Sequence, residues 1–411
     1  MSVLGVDDVR KAAKNGGVLA VAKGDLVTPL ARELARELGV TVGAAAASIP
    51  PEPFRRDTPA ASPAARPDAP TVNALYRRGA PAPVLPAVGR DGGRPKAAVI
   101  GAGHVGSVAA LRIAESDLFD SVVLVDIAPG LAAGIALDLW HSAGLSRFST
   151  RLTGSADVAA AAGADYVVIT AGRPRKPGMS RTDLTAVNAE IVGSVAEQLA
   201  KVAPDAVLVV VSNPLEEMTH VARLRSGFPP GRVLGMAGVL DTARFAALVG
   251  LTGKARPDDV HAYALGSHGP EMVVPLSQAT AKGRPLRELL DASTLGAIVE
   301  RTRDSGAEVV KLLQTGSAYF APGQSAALMV TTMARGADTV LACAVEPDGA
   351  YGLRDTRVGL PVRLGPKGLR EIVELPLEPA ELEALRAAAA TLAERIREVS
   401  GSARGRADAA G

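Results

Sequence analysis

The sequence lacks the features that define several classes of protein. It contains one cysteine, Cys343, which excludes an intramolecular disulfide framework and a multi-cysteine metal cluster. Its 45 lysine and arginine residues nearly balance its 43 aspartate and glutamate residues, whereas a dedicated nucleic-acid binder would be strongly basic. No apolar run approaches the roughly 18 residues that suggest a membrane span, and the N-terminus lacks the basic-then-apolar order of a secretory signal. We therefore expect a cytoplasmic protein without a metal site.

Length and composition indicate how the chain is organised. Its 411 residues are 47% hydrophobic and 21% charged, which is typical of a soluble globular protein with two or three domains. Pro50–Pro86 contains ten prolines and cannot bury enough apolar surface to offset the entropy of ordering. Its excess of basic residues fits either solubility or contact with an acidic surface. We predict a disordered linker over 48–93, after a segment over 1–47 and before a folded region over 94–399, with a disordered tail over 400–411.

The segment before the linker is predicted to be a small helical unit. A first short helix is followed by an apolar run, Val18–Ala22, that fits a strand. In the second helix, Thr28–Gly39, a threonine can cap the start and a glycine can end the helix. Leu30, Leu34 and Leu38 recur every four residues and form an apolar stripe. A helix of about eleven residues is marginal alone in water, so this stripe needs a partner, within the segment or on another protein.

From residue 94 onward, apolar runs alternate with alanine-rich helical segments. The runs are short and wholly apolar, as in strands that are buried on both faces. They are Ala97–Ile100, Val122–Val125, Tyr166–Ile169 and Val207–Val211. This alternation predicts an α/β fold with a doubly wound parallel sheet.

A glycine-rich turn follows the first of these strands. Gly101 permits the tight turn, Gly103 lets the backbone approach a pyrophosphate at a helix N-terminus, and Gly106 allows close helix–strand packing. Asp126 lies twenty residues past Gly106, at the end of the next strand, as a dinucleotide site requires. Its carboxylate would accept hydrogen bonds from ribose and repel a 2′-phosphate, which favours NAD over NADP. The alternative is a glycine turn without a ligand. The predicted cofactor contacts here are Gly101, Ala102, Gly103, His104, Val105, Gly106 and Asp126.

Three further segments carry polar residues suited to an anionic substrate. A basic loop after the third strand holds Arg175 and Arg181, whose guanidinium groups can bind carboxylates bidentately. Asn213 caps the fourth strand and offers both a donor and an acceptor. Asp241 and Arg244 share one face of a predicted helix. A basic loop taken alone is usually solvated, and an aspartate–arginine pair on a helix is usually a surface ion pair. The prediction of a substrate site therefore depends on these residues sharing one cleft.

His268 is the histidine best suited to proton transfer. It is one of five histidines, and a lone histidine is most often structural. Its glycine-flanked loop, however, lets the ring project into a cleft. If Asp241 bonds the imidazole, the pKa of the histidine rises and the second ring nitrogen is oriented. Such a histidine can exchange a proton with a substrate oxygen.

Together these motifs resemble the lactate/malate dehydrogenase family, and most of all its bacterial NAD-dependent malate dehydrogenase branch. The resemblance implies a Rossmann-type NAD-binding domain over 94–240, an α+β substrate domain over 241–399 and a homo-oligomer. It also implies reversible hydride transfer between NAD and malate or oxaloacetate. The matching stretches are Gly101–Gly106, Ile169–Arg181, Val211–Leu215, Gly238–Arg244, Gly266–Gly269 and Lys311–Tyr319.

The resemblance implies a role for each matching side chain. His268 would exchange the substrate proton and Asp241 would pair with it. Arg244 would hold the first carboxylate and Arg175 the second, while Arg181 would close with its loop and polarise the carbonyl. Further cofactor contacts are implied at Asn188, Val211, Ser212 and Asn213, the last of which also faces the substrate.

Arg175 decides between two substrates. With pyruvate, a second arginine would leave an unpaired charge in a closed site, which is costly. Lactate dehydrogenases that resemble this chain carry glutamine at that place. We therefore predict a malate dehydrogenase, with a lactate or other 2-hydroxyacid dehydrogenase as the alternative.

The residues after His268 depart from the family pattern. The family usually has an acidic residue after Gly269 and then threonine or serine, whereas this chain has Pro270 and Glu271. Proline removes a backbone donor and fixes φ, so a shifted histidine loop is expected. This leaves open a non-catalytic binding or scaffold protein on a dehydrogenase fold.

The N-terminal segment has a resemblance of its own. Val6–Ala13 and Val27–Val40 are similar to the opening segment of the ethanolamine-utilisation Q protein and to segments of other bacterial microcompartment proteins. The resemblance implies that residues 1–47 dock the enzyme to a shell or core protein, so that NAD is recycled inside the compartment. The alternative is an accessory domain that aids folding or oligomerisation.

Overall fold

The chain falls into two compact units, residues 1–85 and residues 86–411. Most of the predicted linker lies outside the described residues, as does the predicted substrate-binding residue Arg175. No helix in the described part of the chain has both the length and the apolar character needed to cross a membrane. The computed structural model describes residues 3–14, 17–21, 25–44, 93–173 and 181–409.

The first unit is a small mixed α/β structure. Its elements are β1 (Val3–Leu4), α1 (Val6–Lys14), β2 (Val18–Val21), β3 (Leu26–Val27), α2 (Pro29–Glu37) and β4 (Thr41–Ala44). Strand β1 pairs with β3 and β2 pairs with β4, both in parallel. The sequence predicts both helices and β2. It does not predict β4, nor β1 and β3, which at two residues each are too short to show alternation, so the unit is less purely helical than expected.

Helix α2 packs on the first unit through its alanines. Thr28 Oγ1 accepts a hydrogen bond from the Ala31 N–H at 3.3 Å, which confirms the predicted cap. Ala31 and Ala35 are buried in the core of the unit, whereas Leu30 is 63% exposed and Leu38 is 49% exposed. Small side chains let α2 lie close to its neighbours, and the ends of the predicted leucine stripe remain in contact with solvent.

The second unit begins with six parallel strands. The strands are β5 (Lys96–Ile100), β6 (Ser121–Val125), β7 (Arg151–Ser155), β8 (Tyr166–Ile169), β9 (Val207–Val210) and β10 (Val233–Gly235). The helices between them are α3 (His104–Glu115), α4 (Leu131–His141), α5 (Ala143–Ser146), α6 (Arg181–Val202) and α7 (Leu215–Ser226). The spatial order β7-β6-β5-β8-β9-β10 reverses direction between β5 and β8. This is the Rossmann order, and it confirms the predicted doubly wound sheet.

The rest of the second unit extends the same sheet with antiparallel strands. Its elements are α8 (Gly238–Leu251), β11 (Val260–His261), β12 (Leu265–Gly266), β13 (Met272–Val273), β14 (Thr280–Ala281), β15 (Arg284–Pro285), α9 (Leu286–Leu289), α10 (Ala292–Leu313), α11 (Phe320–Arg335), β16 (Val340–Val345), β17 (Val358–Gly365), β18 (Gly368–Ile372) and α12 (Pro379–Ala409). Short 3₁₀ turns lie at Val158–Ala161, Pro230–Arg232, Pro257–Asp259 and Ala350–Gly352. Strand β16 pairs antiparallel with β10, so the described residues form one continuous eleven-stranded sheet, while β11, β14 and β15 form a separate one.

The parallel strands β5, β6, β8 and β9 are buried on both faces, as their apolar sequences predict, whereas the edge strand β7 is partly exposed. In β5, Ala97 and Val99 belong to one hydrophobic cluster, and Ala98 and Ile100 belong to another. Helices cover both faces, so the carboxyl ends of β5 and β8 meet in the crevice where this type of sheet binds ligands.

The last helix continues beyond its predicted end. A disordered tail is expected from residue 400, but α12 runs to Ala409. The alanines and arginines of this segment have high helix propensity, and the helix continues through Gly401 and Gly405 although glycine disfavours it.

Candidate active site

The glycine turn after β5 has the geometry that its sequence predicts. Gly101 has φ +106°, and a Cβ there would lie 2.6 Å from Thr170 Oγ1. A Cβ at Gly106 would lie 1.8 Å from the Gly101 carbonyl oxygen. Both positions therefore require glycine, Gly101 because the turn lies against the residues after β8 and Gly106 because α3 starts directly against the turn.

The start of α3 has room for an anion. Gly103 is the N-cap of α3 and supplies no side chain to cap the helix. A Cβ at Gly103 would meet nothing within 4 Å. The first backbone N–H groups of a helix lack intrahelical partners and attract negative charge. This arrangement fits the pyrophosphate of a dinucleotide.

The next two positions of the turn face α11. His104 is exposed at the surface, and its ring centroid lies 4.9 Å from that of Tyr319. Val105 is partly buried, and its carbonyl oxygen would lie 2.8 Å from a Cβ added at Gly323. The predicted Lys311–Tyr319 motif therefore leads into a helix that packs closely on α3.

Asp126 lies beside the glycine turn. One carboxylate oxygen accepts the Ala102 N–H at 2.8 Å, and the other accepts the Ala128 N–H at 2.9 Å. A carboxylate has about four lone-pair positions, so acceptor capacity remains for ribose hydroxyls.

Asn188 links the loops that follow β8 and β9. Its Oδ1 accepts the Arg173 N–H at 2.7 Å, and its Nδ2 donates to the Asn213 carbonyl oxygen at 2.6 Å. Ser212 Oγ donates to the Ala171 carbonyl oxygen at 2.6 Å, and the Val211 N–H donates to Ile169. The predicted residues after β9 therefore lie at the crevice. Arg181 is the first residue of α6, while Arg175 lies outside the described residues.

His268, Asp241 and Arg244 form a connected array. The His268 Nδ1–H donates to Asp241 Oδ2 at 2.7 Å, and an Arg244 N–H donates to Asp241 Oδ1 at 3.0 Å. Asp241 is buried, whereas the other two side chains are slightly exposed. Burial opposes the charged imidazole, but the charge and hydrogen bond of Asp241, with a further contribution from Glu216, raise the pKa of His268 above its ordinary value.

Pro270 and Glu271 do not separate the histidine from its partner. Glu271 accepts a hydrogen bond from Ser267 Oγ at 3.1 Å and pairs with Arg395 of α12 at 2.5 Å. The displaced carboxylate is held by these two residues, and the His268–Asp241 pair is formed. The expected shift of the loop does not disrupt the array.

Sequence reasoning missed Glu216. This glutamate of α7 is only 3% exposed, and its Oε1 accepts the His268 backbone N–H at 2.7 Å. Burial raises the pKa of Glu216 to about 7. The only sequence signal is an acidic residue in the first turn of a helix, which usually indicates capping. Nothing in that signal points to a histidine 52 residues away.

Comparisons with known proteins agree with this geometry. Residues 95–235 match the NAD binding domain of lactate/malate dehydrogenases, and residues 238–402 match the alpha/beta C-terminal domain of the same enzymes. A malate dehydrogenase of Chloroherpeton thalassium is 46% identical over 305 residues, which make up 74% of this chain and 98% of that protein.

Solved structures of two activities are similar in shape. A malate dehydrogenase from Salinibacter ruber has a TM-score of 0.72 and 40% identity, and the match covers 76% of this chain and 99% of that one. A lactate dehydrogenase from Cryptosporidium parvum, complexed with lactic acid and nicotinamide adenine dinucleotide, has a TM-score of 0.71 and 35% identity. That match covers 75% of this chain and 98% of the lactate dehydrogenase chain. Shape alone therefore does not separate the two substrates. The chain belongs to the lactate/malate dehydrogenase family.

Proposed function

We infer that the chain is an NAD-dependent malate dehydrogenase, which interconverts malate and oxaloacetate. The similar protein of Chloroherpeton thalassium and the similar structure from Salinibacter ruber are both named malate dehydrogenase. The observation that carries the inference is the array of His268, Asp241 and Arg244. It combines a proton-transfer group with a guanidinium suited to a carboxylate, and it lies in the same unit as the glycine turn.

The residues of the crevice fit NAD. Residues 101–106 would hold the pyrophosphate and Asp126 the adenosine ribose, while Asn188 and residues 211–213 would border the nicotinamide end. When bound, the cofactor accepts a hydride from malate or donates one to oxaloacetate. The Asp126 carboxylate disfavours the 2′-phosphate of NADP.

His268 is proposed to move the substrate proton. Its Nδ1–H is donated to Asp241, so Nε2 carries the lone pair. In malate oxidation, Nε2 accepts the proton of the C2 hydroxyl, and in oxaloacetate reduction the imidazolium returns it. Asp241 stabilises the imidazolium and orients the ring.

The arginines are proposed to bind and orient the substrate. Arg244 donates one N–H to Asp241, and its remaining donors can hold the C1 carboxylate. Arg175 is proposed to hold the second carboxylate and Arg181 to polarise the carbonyl, as the resemblance implies. A site with a second arginine favours a dicarboxylate, because a monocarboxylate would leave that guanidinium unpaired.

The test is NADH oxidation by the purified full chain, with oxaloacetate and pyruvate side by side. We expect kcat/KM to favour oxaloacetate by roughly 10³-fold or more, and Arg175→Gln to reduce that ratio. His268→Ala should abolish turnover, whereas His261→Ala, which replaces an exposed histidine, should not. A preference for pyruvate contradicts the malate assignment. A folded chain that turns over neither substrate supports the binding-protein alternative.

We further propose that the first unit docks the enzyme to a shell or core protein of a bacterial microcompartment. The resemblance of Val6–Ala13 and Val27–Val40 supports this, as does the exposure of Leu30 on α2 and of Leu38 at the C-cap of that helix. Deletion of residues 1–90 should leave activity unchanged and abolish co-sedimentation with shells.

Two double variants make this test specific to the leucines. Leu30→Glu with Leu38→Glu should also abolish co-sedimentation. Glu33→Ala with Glu37→Ala changes exposed positions of the same helix and should preserve it. If the leucine variant still sediments with shells, docking does not use α2.

A homo-oligomer is proposed as well. Helices α4 and α5 expose Leu137, Trp140 and Leu145 to solvent, and clustered exposed apolar side chains often mark subunit interfaces. Sedimentation velocity of the chain should show a species larger than a monomer, and Leu137→Arg with Leu145→Arg should shift it toward the monomer. An unchanged distribution would place the interface elsewhere.

A further inference from the structure

Glu216 is a buried carboxylate that contacts the backbone of the proposed catalytic histidine. It stands in the first turn of α7, directly after the loop of residues 211–214 that borders the proposed cofactor site. Its Oε1 accepts the His268 N–H at 2.7 Å. One side chain therefore connects the loop after β9 to the histidine loop, through a partly buried hydrogen bond.

The charges around His268 show what else Glu216 does. Asp241 uses one carboxylate oxygen on Arg244 and the other on His268. The charges of Asp241 and Arg244 offset each other, so an imidazolium formed at His268 adds a positive charge to a nearly neutral pair. Burying an unbalanced charge is costly. Glu216 carries the additional carboxylate that acts electrostatically on His268.

We propose that Glu216 is a positioning residue for proton transfer: its buried carboxylate fixes the His268 backbone and balances the imidazolium that forms during malate oxidation. The proposal rests on the role of His268 proposed above. The array of His268, Asp241 and Arg244 contains no residue of α7, so this role brings α7 into the reaction.

The two parts of the role can be separated by substitution. Glu216→Gln keeps an oxygen that can accept the His268 N–H but removes the negative charge. Glu216→Asp keeps the charge on a shorter side chain. Glu217→Gln is the matched control, because it removes a neighbouring buried carboxylate of α7 while Glu216 keeps its hydrogen bond to the His268 N–H.

The sign of the effect follows from the charges. The groups that act on His268 are Asp241 and Glu216, which raise its pKa, and Arg244, which lowers it. Loss of the Glu216 charge therefore lowers the pKa of His268. Oxaloacetate reduction needs the protonated ring and malate oxidation needs the neutral ring. Burial raises the pKa of Glu216 to about 7, so its charge is present mainly above that pH. In Glu216→Gln the pH limb of oxaloacetate reduction should therefore move toward acid, and reduction at high pH should fall several-fold, whereas malate oxidation at low pH should not fall.

The experiment records kcat and KM in both directions from pH 5 to pH 9 for the wild type and the three variants. We expect the pH limb of oxaloacetate reduction to move toward acid in Glu216→Gln and to return to its wild-type position in Glu216→Asp. Glu217→Gln should keep the wild-type pH limbs, and the KM for NADH should be unchanged in all three variants. A purely structural role would lower both directions equally and leave the limbs in place, and that result would overturn the proposal.

A second measurement does not depend on turnover. The ring ¹³C resonance of His268 in histidine-labelled protein, assigned with His268→Gln, reports its pKa directly. A lower pKa in Glu216→Gln supports the proposal, and an unchanged pKa refutes it. If the pKa shifts but His268→Ala retains full activity, the role of His268 fails while the charge coupling to Glu216 stands.

Discussion

The side-chain amide of Asn188 holds two loops of the crevice together. Its Nδ2 donates to the Asn213 carbonyl oxygen at 2.6 Å, and its Oδ1 accepts the Arg173 N–H at 2.7 Å. Asn188 is buried in α6, the helix that begins at Arg181. A single residue thus connects the end of β8, the end of β9 and the start of the proposed substrate loop.

Asn188→Leu should therefore weaken both folding and cofactor binding. It removes partly buried hydrogen bonds to Arg173 and Asn213, each of which contributes about 0.5–1.5 kcal/mol, and it frees the loop that borders the nicotinamide end. Urea unfolding and the KM for NADH measure the two effects. Gln198→Leu, at an exposed position of the same helix, is the control. Equal behaviour of the two variants would show that the connection has no energetic importance.

The glycine turn offers a pair of substitutions of which one should weaken folding and the other should leave it nearly unchanged. Gly106→Ala places a Cβ 1.8 Å from the Gly101 carbonyl oxygen, so the turn must move, and the free energy of unfolding should fall by about 1–3 kcal/mol. Gly103→Ala meets nothing within 4 Å and should change stability by less than about 0.5 kcal/mol.

Both glycine variants should nevertheless bind NADH more weakly. In Gly103→Ala the methyl group occupies the open space where the pyrophosphate would approach. Fluorescence titration with NADH and thermal unfolding separate the two cases. Undiminished NADH affinity in Gly103→Ala would place the pyrophosphate elsewhere.

Asp241→Asn should reduce proton transfer more than it reduces binding. The loss of the carboxylate lowers the pKa of His268 and allows the other ring tautomer, so kcat should fall by about 10²- to 10⁴-fold. Oxaloacetate reduction at high pH should suffer most, because it needs the protonated ring. Steady-state kinetics across pH test this. Thr242→Ser is the control, since it keeps the hydroxyl that accepts the Ala264 N–H.

The stability of the fold should decrease as pH rises from about 4.5 to about 7. Burial raises the pKa of Glu216 from 4.5 to about 7, so the folded state binds a proton over this range that the unfolded state has released. The raised pKa of His268 acts in the same direction, because its contribution is lost as pH rises through the folded value. Urea unfolding at several pH values measures the slope, and Glu216→Gln should flatten it. A steeper slope in the variant would contradict the assignment.

Much of the second unit is predictable because its pattern is local. The strand Tyr166–Ile169 has the bounds that its apolar run predicts, since a strand buried on both faces needs an unbroken apolar sequence. The glycine turn and Asp126 are predictable for the same reason: each residue acts within one βαβ unit. Predicting the contact between His268 and Asp241 required the family resemblance, because 27 residues and several elements separate the two in the chain.

The features that sequence reasoning missed depend on tertiary packing. In the sequence, Glu216 is an ordinary acidic residue in the first turn of a helix. Its contact with the histidine loop becomes visible only when the position of α7 in the fold is known. In α2, the leucine stripe is the stronger apolar signal, but the alanines face the core because close packing favours small side chains. The pairing of Glu271 with Arg395 joins the histidine loop to α12, and no local pattern indicates that contact.

The continuous sheet has a consequence for how the chain is made. Strand β10 hydrogen-bonds on one side to β9, and its other side is occupied by β16, which is synthesised much later. Until β16 leaves the ribosome, the nascent chain carries an open sheet edge, which is an aggregation hazard. The pairing of β10 on both sides is therefore complete only after both halves of the second unit have been synthesised.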